Sequence, residues 1–343
     1  MKVLAFPKDV KESNPYTALL YAGVEKLGVE VAEFELDGCA EAAADVFHVH
    51  WPESFLNRRN PVVVLRSYDR WMKCLRALAA GGAKIVWTAH NLHTHERRHE
   101  LLQRKFWKEF TAMLSGCICL SHEARRLVEA RFSDMVCPIE TVPHGHYREA
   151  YPNTASRADA REALGLGQDE FVIVHVGFIR GYKSVPELAR AFKETPGDLR
   201  LVVAGEPYPD ALRKEVESAV SGDPRILSKF QRVPDEELQN YFRATDLAVF
   251  PYKNILNSGS ALMALSFDVP VLVPGIGSMP ELKQTIGEDW VMTYQGEISS
   301  AHLQAAVRWA KSTPRPQTAP LDALDWDVLA KKTVDFYDSL LQA

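Results

Sequence analysis

The sequence predicts an α/β protein built from two doubly wound parallel sheets, and three observations lead there. Short apolar runs bounded by polar turns alternate with amphipathic stretches almost from end to end, the pattern of parallel strands joined by crossover helices. The alternation breaks once, from His144 to Gly167, where HGHYREAYPNTASRADAREALGLG is polar and carries Pro152 and late glycines, and then it resumes. The chain's 343 residues, 46% hydrophobic and 25% charged, suffice for two cores of roughly 150 residues each. The expected domains are 1–148 and 149–324, with 325–343 an amphipathic helix packing back toward the first domain.

In the first half, strands are expected at KVLAF (2–6), VEVAEF (29–34), VFHVHW (46–51), KIVWTAH (84–90), GCICL (116–120) and IETV (139–142). Helices are expected at YTALLYAGVEKL, from Pro61 to Ala79, at LLQRKFWKEFTAML, and at HEARRLVEARF behind a Ser121 cap. The segment 144–167 reads as a linker. The second winding runs through the strand FVIVHVG, the helix VPELARAFKE, the strand LRLVVAGE, a helix from Asp210 to Val220 and a strand near RILSKF. It continues with the helix DEELQNYFRATD, the strand LAVFPY and the stretch KNILNSGSALMALSFDVPVLVPG, a polar turn leading into an apolar helix and a buried strand.

Composition excludes several classes. A net charge of -5 argues against nucleic acid as a partner. Five cysteines without a C-x-x-C pair fit reduced, buried thiols in a cytoplasmic protein, with Cys117 and Cys119 as core residues of one strand. The start, MKVLAFPKDVKESNP, is too short in apolar residues for a signal peptide or a membrane span.

Two doubly wound sheets would face a central cleft, and open α/β sheets bind ligands beyond the carboxyl ends of their strands. In the second half, GFIRGYKS puts Arg180 and Lys183 between a strand end and a helix start, AGEP puts Glu206 at another, and PYKNILNSGS brings Tyr252, Lys253, Asn257, Ser258, Gly259 and Ser260 to a third. Two cations beside a helix N-terminus suit a diphosphate leaving group, since its charge is then met without a metal. In the first half, HVHWPE and TAHNLHTHE end strands with His50, Glu53, His90, His95 and Glu96, and PHGHY adds His144 and His146. Histidines raise the question of zinc, but these spacings match neither H-E-x-x-H nor a Cys/His finger, so neither a metal nor another cofactor is expected. Glu53, His90 and Glu96 are the candidate general bases toward a sugar hydroxyl. His48 reads as a satisfied core residue on the sheet face opposite His50.

These residues resemble a known family. The second half is similar to the donor domain of GT-B glycosyltransferases, in which G-x-I-R-x-Y-K, a strand ending in A-G and a Ser/Gly-rich turn before A-L-S-x-x-x-P-V hold a nucleotide diphosphate sugar. More narrowly, NPYTALLY, HVHWPE, AHNLHTHE, HGHYRE, GFIRGYK, PYKNILNSGSALMALS and DWVMTYQGE together resemble, in order and over nearly the whole chain, the bacterial exopolysaccharide (xanthan-type) GDP-mannose β-mannosyltransferases. The resemblance implies two Rossmann-like domains, acceptor-binding then donor-binding, and transfer of mannose from GDP-mannose to a polyprenyl-diphosphate-linked saccharide in polysaccharide biosynthesis. The guanine would be met near Phe230 to Val233. Many retaining members carry two glutamates across the turn and helix, and here those positions hold Ile255 and Met263. That departure favours inversion, and with no D-x-D pair suited to holding a diphosphate-bound Mg²⁺, metal-independent transfer is expected.

SFLNRRNPVVVLRSYDRWMKCLR and RRHELLQRKFWK form basic stretches with Trp71 among Arg58, Arg59, Arg66, Arg70, Lys73 and Arg76. Such helices suit an anionic membrane surface, here the cytoplasmic face, and a solvated helix face explains them equally. Two further readings stay open: a retaining transferase acting on a soluble glycan or natural product, and a non-catalytic sugar-nucleotide-binding protein.

Overall fold

The computed structural model describes residues 1–10, 14–37, 43–92 and 99–343, which form two compact units, Met1–Gly145 with Leu324–Ala343, and His146–Ala323. In the first unit the strands β1 (Lys2–Phe6), β2 (Glu30–Glu33), β3 (Val46–Val49), β4 (Lys84–Ala89), β5 (Gly116–Cys119) and β6 (Ile139–Thr141) pair in parallel in the order β2-β1-β3-β4-β5-β6. Every residue of β3 and β5 is buried, as it must be in a parallel sheet covered on both faces. The helices are α1 (Tyr16–Lys26), α2 (Pro61–Ala80), α3 (Glu100–Thr111) and α4 (His122–Arg131). Asn60 caps α2 by accepting from Val62 N at 3.0 Å, with Pro61 at the first helical position, and Ser121 Oγ caps α4 by accepting from Ala124 N at 3.0 Å.

The second unit repeats the plan. Its helices are α5 (Arg157–Ala163), α6 (Val185–Lys193), α7 (Asp210–Val220), α8 (Leu238–Arg243), α9 (Gly259–Ser266), α10 (Met279–Ile286) and α11 (Ser300–Ser312). Its strands β7 (Phe171–Val176), β8 (Leu199–Ala204), β9 (Ile226–Lys229), β10 (Leu247–Val249), β11 (Val271–Pro274) and β12 (Val291–Tyr294) lie in the parallel order β12-β11-β10-β7-β8-β9. In each sheet the strand order reverses beside the first strand, between β1 and β3 and between β7 and β10, and there the carboxyl ends open a crevice. The last helix, α12 (Trp326–Gln342), belongs to the first unit, where Leu329, Tyr337 and Leu340 share a core with Val3, Val24 and Ile118. It lies so close to β5 that a Cβ on Gly116 would stand 2.7 Å from Leu340 Cδ1.

The structure differs from the sequence expectation in four places. The polar segment 144–167 contains α5, started by Ser156 Oγ accepting from Asp159 N at 3.1 Å and anchored by the fully buried Arg161, which pairs with Asp246 at 2.9 Å. The helix expected at 235–246 is a 3-10 turn at Asp235–Glu237 followed by the short α8. Cys74 is disulfide-bonded, whereas Cys117, Cys119 and Cys137 are free thiols. Trp71 is packed in the core against Phe6 and Phe34, so it is not part of the basic surface of α2. Among the described residues no helix is long and apolar enough to cross a membrane.

Candidate functional site

The first unit gathers imidazoles at the carboxyl ends of neighbouring strands. His50 follows β3, His90 follows β4 and His144 follows β6, and the ring of Tyr16 on α1 meets all three edge-on, 5.7, 4.7 and 4.8 Å between centroids. His50 Nδ1 is 2.9 Å from His90 Nε2, and Tyr21 OH is 2.7 Å from His50 Nε2 and 3.0 Å from His48 Nδ1. His48 Nε2 lies 2.7 Å from Thr88 Oγ1, and Tyr337 OH from α12 reaches His48 Nδ1 at 2.6 Å. His48 and His50 therefore share one face of the sheet, their rings 4.4 Å apart, which corrects the assignment to opposite faces: side chains alternate with period two, so positions i and i+2 are neighbours.

Burial decides the charge of these groups. It pushes His48 down to about 3, His144 down to about 4, and His50 and His90 well below the usual imidazole range, so all four rings are neutral at pH 7. The opposite holds for Glu53, two residues past Trp51, whose indole stacks on His90 at 4.4 Å. Glu53 is 5% exposed, and burial raises its carboxyl to about 7. A proton acceptor works best with a pKa near the operating pH, so the environment suits Glu53 to be a base and suits His90 to be a neutral hydrogen-bonding group. Glu96 and His95 lie outside the described residues. His146 falls in the second unit, where its Nδ1 accepts from Arg148 N at 3.3 Å.

The second unit has a different chemistry, organised on β7, β8 and β10. Gly177 ends β7 at φ 125, and a Cβ there would stand 3.5 Å from Ser260 Oγ and 3.6 Å from Lys183 Nζ, so a hydroxyl and an ammonium border one point. Gly205 ends β8 at φ 145, and its Cβ would lie 2.0 Å from Gly177 O, which only glycine permits. Lys183 is 8% exposed, and burial together with Arg180 lowers its ammonium to about 8. Arg180 lies over the Tyr208 ring at 4.2 Å, and among the described residues neither cation has a carboxylate partner. The buried Lys183 ammonium, with only the half-buried Arg180 guanidinium near it, calls for an anion. Asn257 Nδ2, Ser184 Oγ and His175 Nε2 are buried there without hydrogen-bond partners, although the sequence reading had singled out neither Ser184 nor His175.

Other residues of the expected donor set are already engaged. Ser258 Oγ caps α9 by accepting from Ala261 N at 3.1 Å and is 2.8 Å from Tyr252 OH, so Ser258 and Tyr252 shape the turn while Gly259 and Ser260 open the helix. Lys253 Nζ pairs with Glu187 at 2.6 Å. Glu206 is exposed past β8, and its carbonyl accepts from Ile179 N at 3.0 Å. Among the described residues no group of three or more His, Cys, Asp or Glu side chains is disposed to hold a metal ion. The tyrosines Tyr16, Tyr21 and Tyr337 escaped the sequence reading. Tyr16 and Tyr21 lay inside the NPYTALLY motif, but nothing local to Tyr337 signals a contact with His48.

Known proteins share this architecture. Residues 156–315 match the family of glycosyl transferases group 1. The GDP-mannose:glycolipid 4-beta-D-mannosyltransferase of Xanthomonas campestris pv. campestris is 30% identical over 322 residues, 93% of this chain and 86% of that protein. The sucrose-phosphate synthase of Thermosynechococcus elongatus superposes with a TM-score of 0.72 at 16% identity over 99% of both chains. The Anabaena HepE structure in complex with UDP-glucose superposes with a TM-score of 0.66 at 13% identity over 100% of this chain and 98% of its own. With two parallel-sheet Rossmann-like domains of the GT-B type and that similarity along nearly its whole length, the chain belongs to the group 1 glycosyl transferases and is a hexosyltransferase.

Proposed function

We propose that the protein transfers mannose from GDP-mannose to a lipid-linked saccharide in polysaccharide biosynthesis, by a single inverting displacement that needs no metal. The reading rests on one observation above the others: in the first unit, past the end of β3, the carboxyl of Glu53 is buried and raised to about 7. In this mechanism the first unit holds the acceptor. Glu53 takes the proton of its attacking hydroxyl as the oxygen bonds to the anomeric carbon and the bond from that carbon to the diphosphate breaks. The second unit holds the donor. Lys183, Arg180, the Asn257 amide, Ser260 and the free N–H groups at the start of α9 receive the charge that develops on the leaving diphosphate.

The donor and acceptor classes follow the likeness to the GDP-mannose:glycolipid mannosyltransferase, and the positions of Ile255 and Met263 support inversion. Val62, Leu65 and Leu101 are exposed beside Arg66 and Arg104 on α2 and α3, a surface suited to peripheral contact with the anionic cytoplasmic membrane face where a polyprenyl-diphosphate acceptor lies. The test is transfer by the purified protein from GDP-mannose to a polyprenyl-diphosphate-linked saccharide in the presence of EDTA. Mannosylated glycolipid, formed faster than glucosylated glycolipid forms from UDP-glucose and at the same rate without EDTA, is the expected result. Binding of GDP with no transfer to any saccharide would make this a non-catalytic binding protein. Transfer confined to soluble glycans, or lost in EDTA and restored by Mg²⁺, would overturn the acceptor or the metal-free step.

A further inference from the structure

We propose that Tyr337 on the C-terminal helix, acting through His48, Tyr21 and His50, holds His90 in the tautomer that carries its hydrogen on Nδ1. His90 then presents a neutral N–H donor to a substrate oxygen. The proposal rests on the glycosyl-transfer reading only in this last clause. The tautomer itself follows from counting hydrogens along a chain of contacts.

His48 Nδ1 faces two hydroxyls, Tyr337 OH at 2.6 Å and Tyr21 OH at 3.0 Å, but has either one lone pair or one hydrogen to offer. If it offers the lone pair, the shorter contact takes it, and Tyr337 donates. If it carries the hydrogen, neither hydroxyl donates to it. Both cases leave the Tyr21 hydrogen to its other neighbour, His50 Nε2, at 2.7 Å, and in the first, on which the role of Tyr337 rests, it is the Tyr337 hydroxyl that keeps Tyr21 from donating to His48. A neutral His50 must then carry its own hydrogen on Nδ1, which lies 2.9 Å from His90 Nε2. His90 Nε2 accepts, and the one remaining place for the His90 hydrogen is Nδ1, to which no other described residue hydrogen-bonds. The argument requires neutral rings, and the burial that pushes both imidazoles down supplies that condition. Remove the Tyr337 hydroxyl, and Tyr21 is free to donate to His48 instead. His50 can then carry its hydrogen on Nε2 and accept at Nδ1 from His90 Nε2–H, which reverses the chain. Tyr337, His48, Tyr21 and His50 are thus positioning residues for His90.

Long-range ¹H–¹⁵N correlation spectra of the full chain labelled with ¹⁵N-histidine read the tautomer directly, with His90 assigned by loss of its signals in His90→Gln. At pH 7 the unaltered protein should show His90 and His50 neutral and protonated on Nδ1. Tyr337→Phe, which removes one oxygen, should move a substantial fraction of both rings to the Nε2–H form. In transfer assays it should lower kcat/KM about tenfold, with GDP affinity unchanged. An Nε2–H or charged His90 in the unaltered protein, or a Tyr337→Phe protein with unchanged tautomers, would overturn the proposal. Should the predicted tautomers appear in a protein that transfers no sugar, the functional reading fails and the tautomer assignment stands.

Discussion

Replacing Glu53 by Gln separates what this carboxylate does in the reaction from what it costs the fold. Burial holds the carboxyl at about 7 against an ordinary 4.5, so the ionised form is disfavoured in the folded protein. Because the folded value is the higher one, the stability associated with the protonated group is fully present below pH 4.5 and is lost as pH rises through 7. The loss amounts to about 1 kcal/mol at pH 5 and about 3 kcal/mol at pH 8, where the side chain is ionised in both states. A neutral, isosteric Gln escapes this cost. Urea unfolding should therefore find Glu53→Gln more stable than the unaltered protein by about 3 kcal/mol at pH 8 and by much less at pH 5. The same variant should transfer sugar about 10² to 10⁴-fold more slowly, with donor affinity unchanged. The unaltered enzyme should gain kcat/KM as pH rises, with an apparent pKa near 7 that the variant lacks. A variant that keeps transfer within tenfold, or that shows no pH-dependent gain in stability, would refute the assignment of Glu53 as a buried base.

Lys183→Met tests the anion cradle in the same two ways. The ammonium is lowered to about 8 from an ordinary 10.5, so its folding cost is present below pH 8 and disappears as pH rises above 10.5. At pH 7 the unliganded variant should melt higher than the unaltered protein, yet it should lose most of the stabilisation given by GDP and transfer at least about 10²-fold more slowly. Equal protection by GDP would remove Lys183 from the donor site. Arg161→Met should cost about 3 kcal/mol of stability in chemical denaturation, because Asp246 loses its buried cationic partner and keeps the more exposed Arg157 and the Val172 N–H. Transfer at low temperature should not change, and a stability within 1 kcal/mol of the unaltered protein would mean that α5 is not anchored as described.

Much of the fold was legible because local patterns and tertiary packing agree. KVLAF is β1 residue for residue, and the helix from Asp210 to Val220 appears with those bounds. The helix α5 was not, since RADAREA shows hardly any apolar periodicity and is held instead by the Arg161 to Asp246 pair, which closes only in three dimensions. The candidate site divides in the same manner. Lys183 and Lys253 look alike in sequence, both being lysines past strand ends. Only the folded chain shows that Lys253 is neutralised by Glu187 while Lys183 is buried with no carboxylate partner among the described residues. Strand-end position drew attention to Glu53, His50 and His90, but protonation depends on burial, which sequence does not report. Tyr337 and His48 are 289 residues apart, and no motif links them.

The anomeric configuration of the product tests the central claim most directly. The purified protein is given GDP-mannose, whose mannose is α-linked, with a polyprenyl-diphosphate-linked saccharide, and the one-bond C1–H1 coupling of the new mannosyl residue is read by NMR. A single displacement with Glu53 as base predicts a β-mannoside. An α-mannoside would contradict it, and would require a retaining mechanism in which Glu53 does not take the proton of the attacking hydroxyl in an inverting step.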